Sequence, residues 1–394
     1  LAMCLGGKFT LSQSIILYRK LKADLLFTGH EMLGPDSVLV TDQKGTVVEI
    51  IDSGDTDAEY LPGILCPGLI NAHCHAELSH LKGRIPKHTG LVDFVQRVLK
   101  LRGGEEEEKL ASIVSAEEEM ILGGIVAVGD ICNTADTINK KRESVLHWRN
   151  FVEVSGFVDA TSRKRLDEAI AVKEKFKEAF IVPHASYSVS ETLFELIAAR
   201  REKFVSIHNQ ESIQEDVFYQ KASGDFLQLY ANLGIDISSF QARGKSSFQY
   251  WSGYFSPQQN IISVHNTFTG PKDIRIAIER KLKIWFCICP GANLYIENTL
   301  PPVEMLRENS CRIILGTDSY ASNESLSIAG EMKLIQENFP GIPLGEILKW
   351  ATLNGAQALD FEGLGSFDVG KKPGIVQLGM DRSGKLTGSA TRIL

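Results

Sequence analysis

Long apolar runs are missing from this chain. No stretch of 18 or more consecutive apolar residues occurs in its 394 positions, so no segment is suited to cross a bilayer as a helix. A basic excess is missing as well. Lys and Arg total 42 against 49 Asp and Glu, a net charge of −7, and the basic runs are as short as Arg163-Lys164-Arg165. That balance excludes a general nucleic-acid or anionic-membrane binder. Cysteines at 4, 66, 74, 132, 287, 289 and 311 are odd in number and lack disulfide spacing, so reduced thiols and a cytoplasmic location are expected. Cys287-Ile288-Cys289 lies in an apolar run and reads as strand core. Residues 1–11 have no basic region followed by a long apolar one, so no leader is expected there. Nor does a glycine-rich phosphate loop follow an early strand, which argues against a doubly wound nucleotide-binding sheet.

What is present is ordinary globular composition, 43% hydrophobic and 23% charged, with two rhythms. From about 13 to 63 short strand-like runs (Ile15–Tyr18, Ala23–Phe27, Ser37–Val40, Val47–Ile50) alternate with turn chemistry at Gly34-Pro35, Asp42–Gly45 and Asp52–Gly54, which predicts short antiparallel strands. From 64 onward apolar strands are expected near 64–73, 125–131, 150–154, 179–184, 204–208, 261–265, 283–289 and 312–317. Helical patterns fall between them, as at Lys109–Leu122, Ser190–Arg200, Asp273–Lys281 and Pro302–Glu308, with a further helix at Leu344–Leu359. Eight such strands alternating with helices predict an α/β fold, a (β/α)8 TIM-type barrel over 64–360. Strand text returns at Ile375–Leu378. The predicted partner is therefore a small β-sandwich built from both termini, 1–63 with 361–394. Two insertions, 76–108 and 212–258, are long enough to be lids. The aromatics of the second (Phe226, Tyr230, Phe248, Tyr250, Trp251, Tyr254) are expected mainly as packing for its helices.

Catalysis in a parallel barrel sits at the C-terminal ends of its strands, and ionisable residues collect at those ends here. The first strand ends in His73-Cys74-His75, where the two-residue period points both imidazoles one way and Cys74 the other. His184 ends the fourth strand, His208 the fifth with Glu211 three residues on, His265 the sixth, and Asp318 follows the eighth. Imidazoles and a carboxylate are suitable ligands for a divalent transition metal. Glu211 stands close enough to a ligand to exchange protons with the site without occupying the ion.

These motifs, Pro67-Gly68-Leu69-Ile70-Asn71-Ala72-His73-x-His75, Pro183-His184-Ala185-x-Tyr187-Ser188, His208-x-x-Glu211, His265-Asn266 and Gly316-Thr317-Asp318-Ser319-x-x-Ser322-Asn323, resemble those of the amidohydrolase superfamily. The likeness is to its branch of nucleobase and nucleoside deaminases and related chlorohydrolases, and it runs from about 13 to 378. The resemblance implies one divalent metal, zinc or iron, on His73, His75, His208 and Asp318, with Glu211, His265 and Asp318 catalytic. Glu77, His184, Ser319 and Asn323 are then expected to bind substrate. The fourth strand offers no bridging carboxylate, so one ion is expected rather than two. The implied reaction is hydrolytic removal of an exocyclic ring amine by water activated at the metal, with release of ammonia.

The first loop, His75-Ala76-Glu77-Leu78-Ser79, resembles that of aminodeoxyfutalosine deaminases, as do Tyr187-Ser188-Val189, Phe268 after His265-Asn266, and Asn293 after Cys289-Pro290. An adenine-nucleoside-like small molecule (aminodeoxyfutalosine, adenosine or S-adenosylhomocysteine type) is the expected substrate, Glu77 accepting from its ribose, and a homodimer the expected assembly. His75-x-Glu77 does not open a cytidine-deaminase signature, because Cys287-Ile288-Cys289-Pro290 does not supply Pro-Cys-x-x-Cys. The alternatives are expulsion of chloride or an amide on the same scaffold, and a metal-free structural homologue. Retention of all four ligands argues against the last.

Overall fold

The computed structural model describes residues 18–52 and 57–394. Residues 1–12, most of the expected strand at Ile15–Tyr18 and the turn at Ser53-Gly54 lie outside that range. Fifteen strands follow in chain order: β1 (Tyr18–Phe27), β2 (Met32–Leu33), β3 (Ser37–Asp42), β4 (Val47–Asp52), β5 (Glu59–Pro67), β6 (Leu69–Cys74), β7 (Ile125–Cys132), β8 (His147–Val154), β9 (Ala179–Pro183), β10 (Phe204–Asn209), β11 (Asn260–His265), β12 (Ile284–Ile288), β13 (Arg312–Leu315), β14 (Ile375–Met380) and β15 (Leu386–Arg392). Among the described residues no helix is long and apolar enough to cross a membrane. The six described cysteines are free thiols.

Strands from both ends of the chain share one seven-stranded sheet, ordered β15-β14-β5-β1-β3-β4 with β2 paired to β1. It is not wholly antiparallel. β3 takes one edge of β1, so β5 enters along the other edge, and that pair is parallel. One face of the sheet packs its own apolar cluster of Leu21, Leu26, Leu39, Val47, Leu65, Phe367 and Ile375. Its other face, through Phe27, Ile64, Cys66, Val376 and Leu378, joins the main core.

The run expected as a single strand over 64–73 is divided. Ile64–Pro67 pair with β14 in the terminal sheet, and Leu69 opens β6 against β7. Pro67 cannot donate to a ladder, and the Gly68 N–H turns to Pro373 O at 3.1 Å. Gly68 is required by crowding: a Cβ there would lie 2.3 Å from Val126 Cγ1 and 2.6 Å from Pro373 O.

The eight strands β6–β13 form two parallel sheets in sequence order, β6-β7-β8-β9 and β10-β11-β12-β13. Single parallel bridges link them along both edges, Ala185 to His208 and Cys74 to Asp318. Strands such as β7, buried at all eight positions, read as continuous apolar text because both faces are covered. One face of every strand enters a shared inner cluster (Ile70, Ala127, Phe151, Val182, Phe204, Ile262, Trp285, Ile314). The opposite faces pack on helices, as Leu69, Val152 and Ile181 do with Met120, Leu166 and Phe194.

The expected helices form at Glu106–Leu122, Glu191–Ala199, Pro271–Glu279 and Val303–Glu308. The one expected over Leu344–Leu359 is helical but widens into a π turn at Trp350–Asn354. That turn lets Gly355 approach Ile70, whose Cβ would lie 2.7 Å from an added methyl. The long insertions are helical too, with Leu91–Leu101 in the first and Ile213–Lys221, Asp225–Asn232 and Ser247–Trp251 in the second. Phe226, Phe248 and Trp251 are fully buried, as expected of packing residues, whereas Tyr230 also reaches a cavity wall.

Replacing Gly68 with Ala should destabilise the protein by about 1–3 kcal/mol through overpacking where the two parts of the fold meet. The expected readout is a lower urea midpoint with an unchanged slope.

Candidate active site

β6, β10, β11 and the turn after β13 deliver their polar side chains to one point. His73 ends the apolar stretch of β6 and His75 follows it on the same side, while Cys74 between them packs in the outer layer with Ala116 and Met120. The Nε2 atoms of His75 and His73 are 3.2 Å apart, and those of His75 and His208 are 3.1 Å apart. Asp318 Oδ1 stands 3.3 Å from His75 Nε2 and 3.6 Å from His73 Nε2. His265 joins the group, with ligand atoms of His73, His208, His265 and Asp318 all within 4.8 Å of one another.

The donor set fits a metal ion. His208 Nδ1 lies 2.9 Å from His184 O. A carbonyl only accepts, so the proton is on Nδ1 and the Nε2 lone pair faces the cluster. Burial holds the His75 and His265 imidazoles well below their ordinary range and brings His184 and His208 down to about 4, so the rings are neutral. The neutral nitrogens of His75 and His208, 3.1 Å apart, with His73 Nε2 3.2 Å from His75, leave a space suited to a cation. Two ligands each ~2.0–2.1 Å from one ion stand roughly 3.0–3.4 Å apart, which is the spacing found.

Asp318 is steered from behind, Ser322 Oγ donating to its Oδ2. It has a left-handed backbone, φ 57°, and so do Gln210 (44°), His265 (70°) and Asn266 (58°). Four such non-glycine residues at strand ends mark strain held by the surrounding fold.

Glu211 lies beside the cluster without joining the tight nitrogen group, its Oε1 3.6 Å from His265 Nε2. Burial, then the charges of Asp318, Glu215 and Glu297, push its carboxyl well above the usual range. Its backbone is fixed by Glu215, whose carboxylate accepts from the N–H groups of Glu211 (2.7 Å) and Gln210 (3.1 Å) and from Ser247 Oγ (2.8 Å).

A cavity of about 380 Å³ opens from this cluster. Its inner wall carries His75, His184, His208, Glu211, His265, Asp318 and Ser319. Asn133, Glu153, Ser155 and Arg102 also line it, and the apolar lining comes from Leu91, Phe94, Val95 and Val98 on one helix and from Leu229 and Leu233 in the second insertion. His184 is held by Ser188, Nδ1 to Oγ 2.6 Å.

Two expected substrate contacts are turned elsewhere. Glu77 does not line the cavity. Its Oε2 accepts from the N–H groups of Asn133 and Thr134 at 3.0 Å and from Thr134 Oγ1 at 3.1 Å, and its Oε1 faces Arg102 at 3.5 Å. One of its two oxygens is thus taken up by the loop after β7, while Oε1 has the Arg102 ion pair and no hydrogen bond. Asn323 lies outside the cavity as well, its Nδ2 donating to Thr317 O (2.9 Å) and Glu331 Oε1 (2.8 Å). It ties the loop after β13 to the helix Ile328–Asn338.

Sequence reasoning missed Glu153, Arg102, Asn133 and Glu215. The signal for Glu153 was legible, since it is the one acid in the otherwise apolar end of β8. Arg102 and Asn133 gave none, because loops bring them in.

Glu331 generates a pH prediction. Burial raises its carboxyl from 4.5 to about 7, although it accepts from Gly291 N–H at 2.8 Å. Between pH 4.5 and 7 the folded chain keeps a proton that the unfolded chain has lost, so stability falls as pH rises through that window. Glu215, raised to about 7 by the same cause, acts in the same direction. Replacing Glu331 with Gln should remove up to about 3 kcal/mol of this decline, measured as the difference in unfolding free energy between pH 5 and pH 8.

Comparison with known proteins agrees with the geometry. The amidohydrolase family model matches residues 64–388. Adenosine deaminase of Helicobacter pylori is 26% identical over 367 residues, covering 84% of this chain and 87% of that protein. The crystal structure of Helicobacter pylori aminofutalosine deaminase in complex with methylthio-coformycin superposes with a TM-score of 0.77 at 23% identity, covering 94% of each chain. That of an adenosine deaminase from Xanthomonas campestris with bound zinc gives 0.68 at 22% identity, covering 92% of this chain and 85% of that one. The family match spans most of the chain and includes every residue of the imidazole–carboxylate cluster, so this chain belongs to the amidohydrolase family.

Proposed function

We propose that this protein is a metal-dependent hydrolytic deaminase of adenine-nucleoside-like small molecules. In this reading β6–β13 close as a (β/α)8 barrel, supported by the two edge bridges and by the inner cluster to which all eight strands contribute. The division is 64–360 for the barrel and 1–63 with 361–394 for a small sandwich, with β5 crossing the boundary to Pro67. His73, His75, His208 and Asp318 hold one divalent ion, zinc being favoured by a set of three imidazoles and a carboxylate. A divalent ion there supplies Lewis acidity and lowers the pKa of water at the site toward ~7.

The observation that carries the reading is Glu211, a buried carboxyl with a raised pKa facing the same cavity as the cluster. Hydrolytic deamination needs such a group. Water adds to the amidine carbon, the adjacent ring nitrogen must gain a proton, and ammonia leaves only from a protonated amine. Glu211 takes the proton of the attacking water and delivers it to the ring nitrogen. Asp318 accepts the second proton and returns it to the departing amine. His265, 3.6 Å from Glu211, orients the attacking oxygen. His184, locked by Ser188, packs against the base, and Ser319 completes the inner wall. The apolar lining of the cavity suits nucleosides with an uncharged or extended substituent on the sugar 5′ carbon, which includes the aminodeoxyfutalosine, adenosine and S-adenosylhomocysteine types.

Replacing Glu211 with Gln should leave bound metal at the wild-type stoichiometry and lower turnover by about 10²–10⁴-fold. Metal analysis together with ammonia release checks both halves, and near-normal turnover in this variant would overturn the assignment. Ammonia from a panel of adenine, guanine and cytosine derivatives, against chloride or alkylamine from chloro- and aminotriazines, tests the reaction class.

A further inference from the structure

The cavity contains one acidic group that the deamination chemistry leaves unused. Glu153, the second-to-last residue of β8, has a side chain only 7% exposed, and it lines the cavity. Its Oε1 accepts from Asn133 Nδ2 at 3.3 Å, while its Oε2 is buried without a hydrogen-bond partner. A buried carboxylate oxygen with nothing to accept from is costly, and its position shows what could relieve it. His208 Nδ1 is 3.6 Å away, but the proton of that nitrogen is already given to His184 O at 2.9 Å. Glu153 therefore does not orient the histidine. His208 turns Nε2 to the cluster and Nδ1 toward Glu153, so the Glu153 carboxylate stands on the far side of the His208 ring from the cluster.

A carboxylate recognises only donors. An adenine nucleoside offers few: the exocyclic amine, which must face the cluster to react, and the sugar hydroxyls. Its free ring nitrogens are acceptors and would repel Glu153. We propose that Glu153 is the residue that recognises the sugar, its Oε2 accepting a hydrogen bond from a ribose 2′- or 3′-hydroxyl. This rests on the deaminase reading of the site and adds the group by which ribo- and deoxyribonucleosides are told apart. It also gives Glu77 a role different from direct ribose contact. Glu77 anchors the backbone of Asn133 and Thr134, Asn133 anchors Oε1 of Glu153, and Oε2 is left without a partner beside His208.

The test compares kcat/KM of the metal-loaded enzyme for adenosine, 2′-deoxyadenosine and 3′-deoxyadenosine in wild type, E153A and the shape-conserving E153Q. Calorimetric binding of the products inosine and 2′- and 3′-deoxyinosine provides a second readout. The wild type should favour adenosine over one deoxy analogue by about 10- to 100-fold, the worth of a hydrogen bond to a charged group. E153A should bring that ratio within about threefold, E153Q should lower it by at least threefold, and product binding should follow the same order. An equal loss on all three nucleosides, or a ribose preference that survives both substitutions, would overturn the assignment to Glu153. A wild type that deaminates all three without preference overturns it too and leaves the deaminase reading intact. A wild type that deaminates none of these, nor 5′-methylthioadenosine or S-adenosylhomocysteine, removes the reading and the inference together.

Discussion

Three imidazole nitrogens crowded to 3.1–3.2 Å, with a carboxylate oxygen 3.3 Å from one of them, form the constraint on which the rest of the structure depends. Polar groups of this kind are crowded so closely only where the scaffold holds them, and the crowding leaves a place suited to a cation. β6, β10 and the turn after β13 supply the donors, and their relative positions are fixed by ladder hydrogen bonds and by the bridges between sheet edges. The bridge from Cys74 to Asp318 is the most direct of these, since His73 O accepts from the N–H groups of both Thr317 and Asp318 at 3.1 Å. The backbone of one ligand thus positions another.

Around this centre the same device recurs. Buried carboxylates accept backbone N–H groups from loops at the strand ends: Asp130 from Ala76 (2.8 Å), Glu77 from Asn133 and Thr134, Glu215 from Gln210 and Glu211, and Glu331 from Gly291. Asp130 is itself paired with the buried Lys141 at 2.5 Å. Each loop would otherwise bury unpaired donors, and each is held in a shape that aims a functional side chain. The left-handed residues Gln210, His265, Asn266 and Asp318 show that these shapes are not the relaxed ones. The hydrogen bond from Gln210 N–H to the Glu215 carboxylate helps hold one of them.

Much of this was legible in the sequence because the signals are local. Alternation brought His73 and His75 to one face, and apolar strands ending in His184, His208 and His265 declared both the α/β alternation and the end at which the site forms. The run through Pro67-Gly68 was read as one strand, because nothing local says that a chain leaves one sheet for another at a proline. The parallel pairing of β1 with β5 was equally hidden, since it depends on which edge of β1 remained free.

Sequence alone determined which residue types gather at the strand ends of this protein. The residue types and their places at strand ends follow from periods of two and from motif spacing, which a linear text records. Tertiary structure decided which carboxylates line the cavity and which build the loops. Glu77, two residues from His75, looked like a substrate contact and is held by Asn133, Thr134 and Arg102 away from the cavity, whereas Glu153 looked like a strand residue and lines the cavity. The physical reason is that a carboxylate's role is set by the donors that reach it first, and here those donors come from a segment some 56 residues away in the chain.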